Sequence, residues 1–220
     1  MDTGPRTPLD ERGRTLLPPP CAAPPKTGNQ MAFPDVAPPP RILVGAPRLT
    51  DRVVWLRPLR MADAPAVARS GDDPEVARWT PFPSPFSEQD ARNWIATQST
   101  AGTVDLAVTD RESGPEILGW VGLHDIDLPQ RRAELGIWLA AGARGRGVAR
   151  RAIALLTNWG FRELGLLRIA ALCLSENAVG RRTMESAGFA PEGVLRGYED
   201  VKGVRHDTAI LGMVHPDLCG

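Results

Sequence analysis

Short β-branched and aromatic runs alternate with segments of helical periodicity along most of this chain, which predicts an α+β domain of three layers, α/β/α. A second observation supports it. An apolar run at 133–139 leads into Arg144-Gly145-Arg146-Gly147-Val148-Ala149 and then into a helical pattern, a strand–turn–helix unit. The third concerns extent: positions 1–45 carry Pro18-Pro19-Pro20, Pro24-Pro25 and Pro38-Pro39-Pro40 among polar residues. Proline fixes φ and lacks the N–H donor, so this stretch is expected to be a disordered, polyproline II-like tail. The domain is assigned to 46–220, and with 42% hydrophobic residues in a chain of 220 it can form a substantial core.

Taken in order, Val53, Trp55 and Leu56 ahead of Arg57-Pro58 predict a first strand. Ala62 to Ala68 has apolar positions at helical spacing, and Asp63 lies in the first turn, where a carboxylate complements the helix dipole. Pro74 to Trp79 is a second short helix, and Ser87 is expected to cap a third through Trp94 and Ile95. Between these two lies a proline-aromatic loop, Pro81-Phe82-Pro83-Ser84-Pro85-Phe86. Leu106–Val108 and Ile117–Leu123 are expected to form a hairpin about Glu112-Ser113-Gly114-Pro115. Ala133–Leu139 is the next strand, followed by a helix from Val148 to about Leu164 that stops at Gly165. A strand at Leu167–Leu174, a helix at Ala178–Ser186 and closing strands near Gly193–Val201 and Thr208–Val214 complete the domain.

The turn at 144–149 has the composition of an anion cradle. Gly145 and Gly147 carry no Cβ, so backbone N–H groups can approach a phosphate, and the helix that follows directs its positive end to the same place. It lacks the Gly-Lys-Ser/Thr of a P-loop and the G-x-G-x-x-G dinucleotide fingerprint, and a plain strand-to-helix turn with solvated arginines also fits. A formal net charge of +0 gives no footprint for nucleic acid or an anionic membrane surface, so any phosphate is bound locally. Cys21, Cys173 and Cys219 are too few and too far apart for a disulfide framework or paired zinc ligands. His124 and His206 have no partner at ligand spacing, and no apolar run spans a bilayer, so a cytoplasmic protein without a metal is expected.

Ala133-Glu134-Leu135-Gly136-Ile137-Trp138-Leu139, Arg144 to Ala149, Asn177 and Ala187-Gly188-Phe189 follow one another in this order. Together they resemble the GCN5-related N-acetyltransferases (GNAT), whose R/Q-x-x-G-x-G/A signature matches Arg144-x-x-Gly147-x-Ala149. The resemblance runs from about Leu49 to Val214, and Glu192-Gly193-Val194-Leu195-Arg196 is similar to the RimJ/RimL branch, which acetylates N-terminal amines of ribosomal proteins. It implies a mixed, mostly antiparallel central sheet splayed between two parallel strands, with acetyl-CoA as cosubstrate. The pantetheine arm would pair with the backbone at Trp138 and Leu139, and the pyrophosphate would take the N–H groups of Gly145, Arg146, Gly147, Val148 and Ala149, with charge from Arg144 and Arg146. Asn177 would bond the pantetheine or the departing sulfur, or serve only as a helix cap.

An acetylated amine must first lose a proton, since at neutral pH it is mostly an ammonium. Glu134 is the first candidate base and Glu199 the second; the plain alternative for Glu134 is a surface pair with Arg131 or Arg132. Where many family members place a tyrosine as acid for the thiolate this chain has Met184, and where others place a serine it has Gly180. Tyr198 is a candidate replacement or an aromatic of the acceptor site. Trp138, Trp120 and Trp159 suit packing, whereas Trp79, Phe82 and Phe86 lie where the resemblance puts the acceptor, or else pack on the core. The expected partner is an amine acceptor, either a protein N-terminus or a small molecule, with a homodimer as a compatible assembly. The competing readings are a catalytically idle acyl-CoA-binding module and a phosphate-binding protein without thioester chemistry.

Overall fold

The computed structural model describes residues 46–97, 102–112, 114 and 116–215. The proline-rich segment and part of the turn at 112–115 lie outside the described residues. The strands are β1 (Leu49–Thr50), β2 (Trp55–Pro58), β3 (Val104–Thr109), β4 (Gly119–Asp127), β5 (Arg132–Leu139), β6 (Arg168–Leu174), β7 (Ala190–Val201) and β8 (Val204–Val214). They form one sheet in the order β1-β2-β3-β4-β5-β6-β8-β7, antiparallel at every pairing but β5–β6. The helices are α1 (Ala64–Gly71), α2 (Pro74–Trp79), α3 (Glu88–Thr97), α4 (Val148–Glu163) and α5 (Ala178–Ser186).

Strand alternation sorts the side chains between two helical layers. Leu106, Val121, Leu123, Leu135, Ile169 and Leu211 face α4 and α5, where they pack with Ile153, Leu156 and Met184. Ala107, Trp120 and Trp138 face the other way and pack with Val67 of α1, Val76 of α2 and Ile95 of α3. The three-layer α+β architecture expected from the sequence is the one observed.

Several local boundaries differ, each for a physical reason. Val53 is off the first strand because the Asp51 carboxylate accepts from the amides of Val53 (2.9 Å) and Val54 (2.8 Å), and this turn creates the short β1. The helix expected from Ala62 begins as a 3-10 turn over Met61–Asp63, and Asp63 does more than complement a dipole. Its two oxygens take both Arg57 terminal nitrogens at 2.8 Å, a buried bidentate pair that ties β2 to the helical layer. Ser87 caps α3 as expected: its hydroxyl accepts from the Asp90 amide (3.2 Å) while its own amide donates to the Asp90 carboxylate (2.9 Å). At the other end of the sheet, β7 and β8 are longer than their alternation suggests. They form a projecting hairpin whose register shifts after Pro191 and after Leu195, which hides the period of two.

Candidate active site

The site begins where the two parallel strands separate. β5 and β6 pair only from Arg132–Arg168 to Glu134–Ala170, although β5 continues to Leu139 and β6 to Leu174. β4 follows β5 all the way to Leu139, so from Leu135 onward it is the β6 edge of β5 that opens. This is the splay that the resemblance implied, and Glu134 stands on its last rung. Trp138 and Leu139 lie along the opened edge; the Leu139 carbonyl accepts from Arg144 Nε at 3.1 Å.

Beyond the strand, the turn enters α4 through two glycines with φ of +71° at Gly145 and +73° at Gly147. Only glycine adopts this region at little cost. Gly147 is the N-cap of α4 and supplies no side-chain cap, so the first amides of a 16-residue helix are left for an anion. A Cβ built on either glycine meets nothing within 4 Å, which leaves open space over the turn. These features fit a pyrophosphate. The two arginines expected to supply charge have different contacts. Arg144 Nη2 donates to Asp73 Oδ1 at 2.6 Å, and the same oxygen caps α2 by accepting from Glu75 and Val76 amides, so this arginine braces the cradle against the helical layer. Arg146 remains exposed, with one bond to the Gly142 carbonyl at 3.2 Å. Asp73→Ala removes a cap and the brace together, and a loss of about 1–2 kcal/mol in denaturant stability is expected.

Around Glu134 the register assembles a polar row on the α1–α3 face. Trp120 opposes Trp138, Gly122 opposes Gly136 and His124 opposes Glu134. Opposed residues share a face, so Glu134, His124 and the two tryptophans line the same surface. Asp105 of β3 opposes Gly122 and is buried, and its Oδ1 accepts from Trp120 Nε1 at 2.9 Å. His124 Nε2 lies 3.6 Å from that same oxygen. Half-burial pushes the Glu134 carboxyl above its ordinary range; Asp125 and Glu199 reinforce the shift, and His124 and Arg132 oppose it. Burial also raises Asp105, against the attraction of His124.

The remaining candidates are placed as follows. Glu199 of β7 opposes His206 across the hairpin and lies close enough for its charge to act on Glu134. Tyr198 beside it is 51% exposed. Asn177 is the N-cap of α5, its Oδ1 accepting from the Gly180 amide at 2.8 Å. Met184 is buried in the core under α5 and offers no proton. Phe82 and Phe86 stack at 4.5 Å between ring centres and are buried, with the Phe86 ring filling the space beside Gly71. They belong to the packing of the helical layer, along with the buried Trp138. Trp79 is half-buried at the end of α2, with its Nε1 on Glu75 Oε2 (3.3 Å) and the Arg78 guanidinium over its ring. Burial pushes the Cys173 thiol up to about 11, so it is not a thiolate nucleophile at neutral pH.

What the sequence reading did not bring together is the His124–Asp105 pair. No histidine partner of His124 stands at metal-ligand spacing; its partner lies one strand away. The signal was there in the spacing Trp120-x-Gly122-x-His124 opposite Glu134-x-Gly136-x-Trp138, two matched alternations whose glycines make room for a side chain lying across them.

An acetyltransferase (GNAT) domain model matches residues 54–190, from the end of the first loop to the start of β7. The chain belongs to the GNAT family of N-acetyltransferases. Among its relatives, the p20 protein of Bacillus licheniformis, named an uncharacterized N-acetyltransferase, is 30% identical over 174 residues, covering 78% of this chain and 97% of its own. Solved structures that share the fold include two acetyltransferases. Mycobacterium smegmatis RimJ in complex with CoA-disulfide has a TM-score of 0.68 at 23% identity and covers 79% of this chain and 88% of its own. The microcin C7 self-immunity acetyltransferase MccE, in complex with acetyl-CoA and AMP, has a TM-score of 0.67 at 22% identity, covering 76% and 94%. As a GNAT enzyme this protein uses acetyl-CoA, and the cradle at 145–149 and the open β5 edge suit that cosubstrate. Among the described residues no helix is long and apolar enough to cross a membrane, and no cluster of three or more His, Cys, Asp or Glu side chains could hold a metal.

Proposed function

We propose that this GNAT enzyme acetylates the α-amine of a protein N-terminus, as the RimJ/RimL branch does, with Glu134 as general base acting directly or through a water. The observation that carries the reading is the position of Glu134, a half-buried carboxylate on the last paired rung before β5 and β6 part. Acetyl-CoA supplies a thioester whose carbonyl carbon takes the amine lone pair as the C–S bond breaks. The amides of Gly145–Ala149 hold its pyrophosphate, and the Trp138–Leu139 edge orients the pantetheine, with Asn177 near the sulfur. Glu134 draws the ammonium proton, and Glu199 and Tyr198 flank the incoming amine. Support for a slender acceptor comes from the β7–β8 hairpin, whose tip reaches the helical layer: Lys202 Nζ donates to the Ala77 carbonyl of α2 at 2.6 Å. An acceptor would enter beneath that bridge, past Trp79, as an extended peptide can.

One observation favours a second acceptor class. Asp125, Glu134 and Glu199 gather three carboxylates whose charges interact, which suits a small polycation. Competing a panel of N-terminal peptides, N-blocked peptides with internal lysine, and polyamines in one vessel separates the two. Acetyl on the peptide α-amine is the expected mass shift; acetylation confined to polyamines overturns the peptide assignment.

The raised Glu134 carboxyl also sets a pH dependence. A base works only when deprotonated, so kcat falls as pH drops through the folded-state value, and this limb is expected above the ordinary glutamate value of about 4.3. A limb at or below that value, measured in saturating substrates, would contradict the assignment.

A further inference from the structure

The reaction releases one proton for each ammonium acetylated, and the base must pass it on before the next turnover. Glu134 is half-buried, and its surroundings hold a second proton carrier that the base assignment does not use. His124 is its direct cross-strand partner, one side chain away on the same face. The imidazole side chain is 34% exposed, so it can exchange protons with solvent, while its Nε2 lies 3.6 Å from the Asp105 carboxylate, whose side chain is 1% exposed.

That buried carboxylate is held by design of the sheet rather than by chance. The Trp120 indole donates to Asp105 Oδ1 and lies against His124 with ring centres 5.3 Å apart. It can lie there because Gly122 and Gly136 sit under it: a Cβ on Gly122 would come within 2.6 Å of the indole, 2.9 Å of Asp105 Oδ1 and 3.0 Å of His124 Nε2, and one on Gly136 within 2.9 Å of the indole. Two glycines, an indole and a buried acid thus fix one imidazole beside Glu134. Other charged or polar groups facing this cluster are Thr103 ahead of β3, Asp125 on β4, Arg132 on β5 and Glu199 on β7.

We propose that Asp105, His124 and Glu134 form a proton relay across β3, β4 and β5, in which His124 takes the proton from Glu134 and delivers it to solvent. This rests on the reading of Glu134 as base. The ammonium N–H bond breaks, with its proton going to the Glu134 carboxylate and its electron pair staying on nitrogen to attack the thioester carbon. The C–S electron pair leaves on sulfur, and the thiolate takes the second proton shed by the attacking nitrogen. Neutral His124 then removes the first proton from Glu134, becomes an imidazolium stabilised by Asp105, and loses that proton to water. Products are the amide, free CoA thiol and one proton in solution. His124 acts through Glu134 and is a positioning and relay residue; Asp105 orients it.

The test is the steady-state kcat of wild type, His124→Gln and His124→Ala, with acetyl-CoA affinity followed by calorimetry. His124→Gln should lose at least about tenfold in kcat, with acetyl-CoA affinity within about twofold. Added imidazole should restore peptide acetylation by His124→Ala in a saturable manner. A His124→Gln variant with full rate, or a loss in His124→Ala that imidazole does not restore, overturns the relay. If Glu134→Gln keeps full rate, the base assignment fails and the relay with it; if Glu134→Gln is slow while His124 variants match wild type, the relay alone fails.

Discussion

Glu134→Gln is expected to lower kcat by about 100-fold, the lower end of what a positioned general base contributes, while acetyl-CoA binds within about twofold of wild type. The amide is nearly isosteric and keeps the strand pairing, so the fold should not register the change. What disappears is the ability to accept a proton at the rung where β5 and β6 separate. The cosubstrate contacts proposed above lie elsewhere, at the β5 edge and at the start of α4, which is why affinity and rate should part company. Steady-state kinetics with saturating acceptor, together with calorimetry of acetyl-CoA, checks both halves. A variant with full rate at neutral pH excludes Glu134 as base, and one that loses affinity instead makes it a cosubstrate residue.

Gly147→Val is expected to do the reverse, raising the Kd for acetyl-CoA by about 10- to 100-fold. Two effects act in the same direction. Gly147 holds φ at +73°, where a β-branched residue is strained by about 1–3 kcal/mol, so the turn will relax and carry the first amides of α4 away from their present directions. The valine side chain would also project into the open space over the turn, where nothing stands within 4 Å of its Cβ. The loss of one charge-assisted hydrogen bond, at about 1.5–3 kcal/mol, accounts for the change in affinity. Because no protein atom contests the new side chain, the variant should fold with only that modest backbone strain. Unchanged affinity in a folded variant would mean that the pyrophosphate does not bind at this turn.

These two residues show how far the sequence could be read. The geometry of the turn was legible because it is local: glycines, a helix start and a signature spacing occupy six consecutive positions, and the local φ values follow from them. The place of Glu134 at the fork was legible only through the family resemblance, since nothing in the spacing of 133–139 says where a partner strand stops pairing. Long-range partners were not legible. Arg144 carries a positive charge in any reading, but its capture by Asp73, 71 positions earlier, depends on how α2 meets the end of β5. Phe82 and Phe86, read either as acceptor contacts or as core packing, pack on α1 and α3 because the loop folds inward over Gly71. His124 and Asp105 lie on the adjacent strands β4 and β3 and meet only through register. The long β7–β8 hairpin was truncated in the reading because its register shifts break the alternation on which strand prediction depends.

The most direct experiment mixes purified protein with acetyl-CoA and follows free thiol while N-terminal peptides and small amines are supplied in turn, with acetyl-CoA binding measured on the same sample. Saturable binding is expected, with one thiol released for each acetyl group found on a peptide α-amine. Tight binding without thiol release on any amine would contradict it and mark the chain as a GNAT module that holds acetyl-CoA without transferring it.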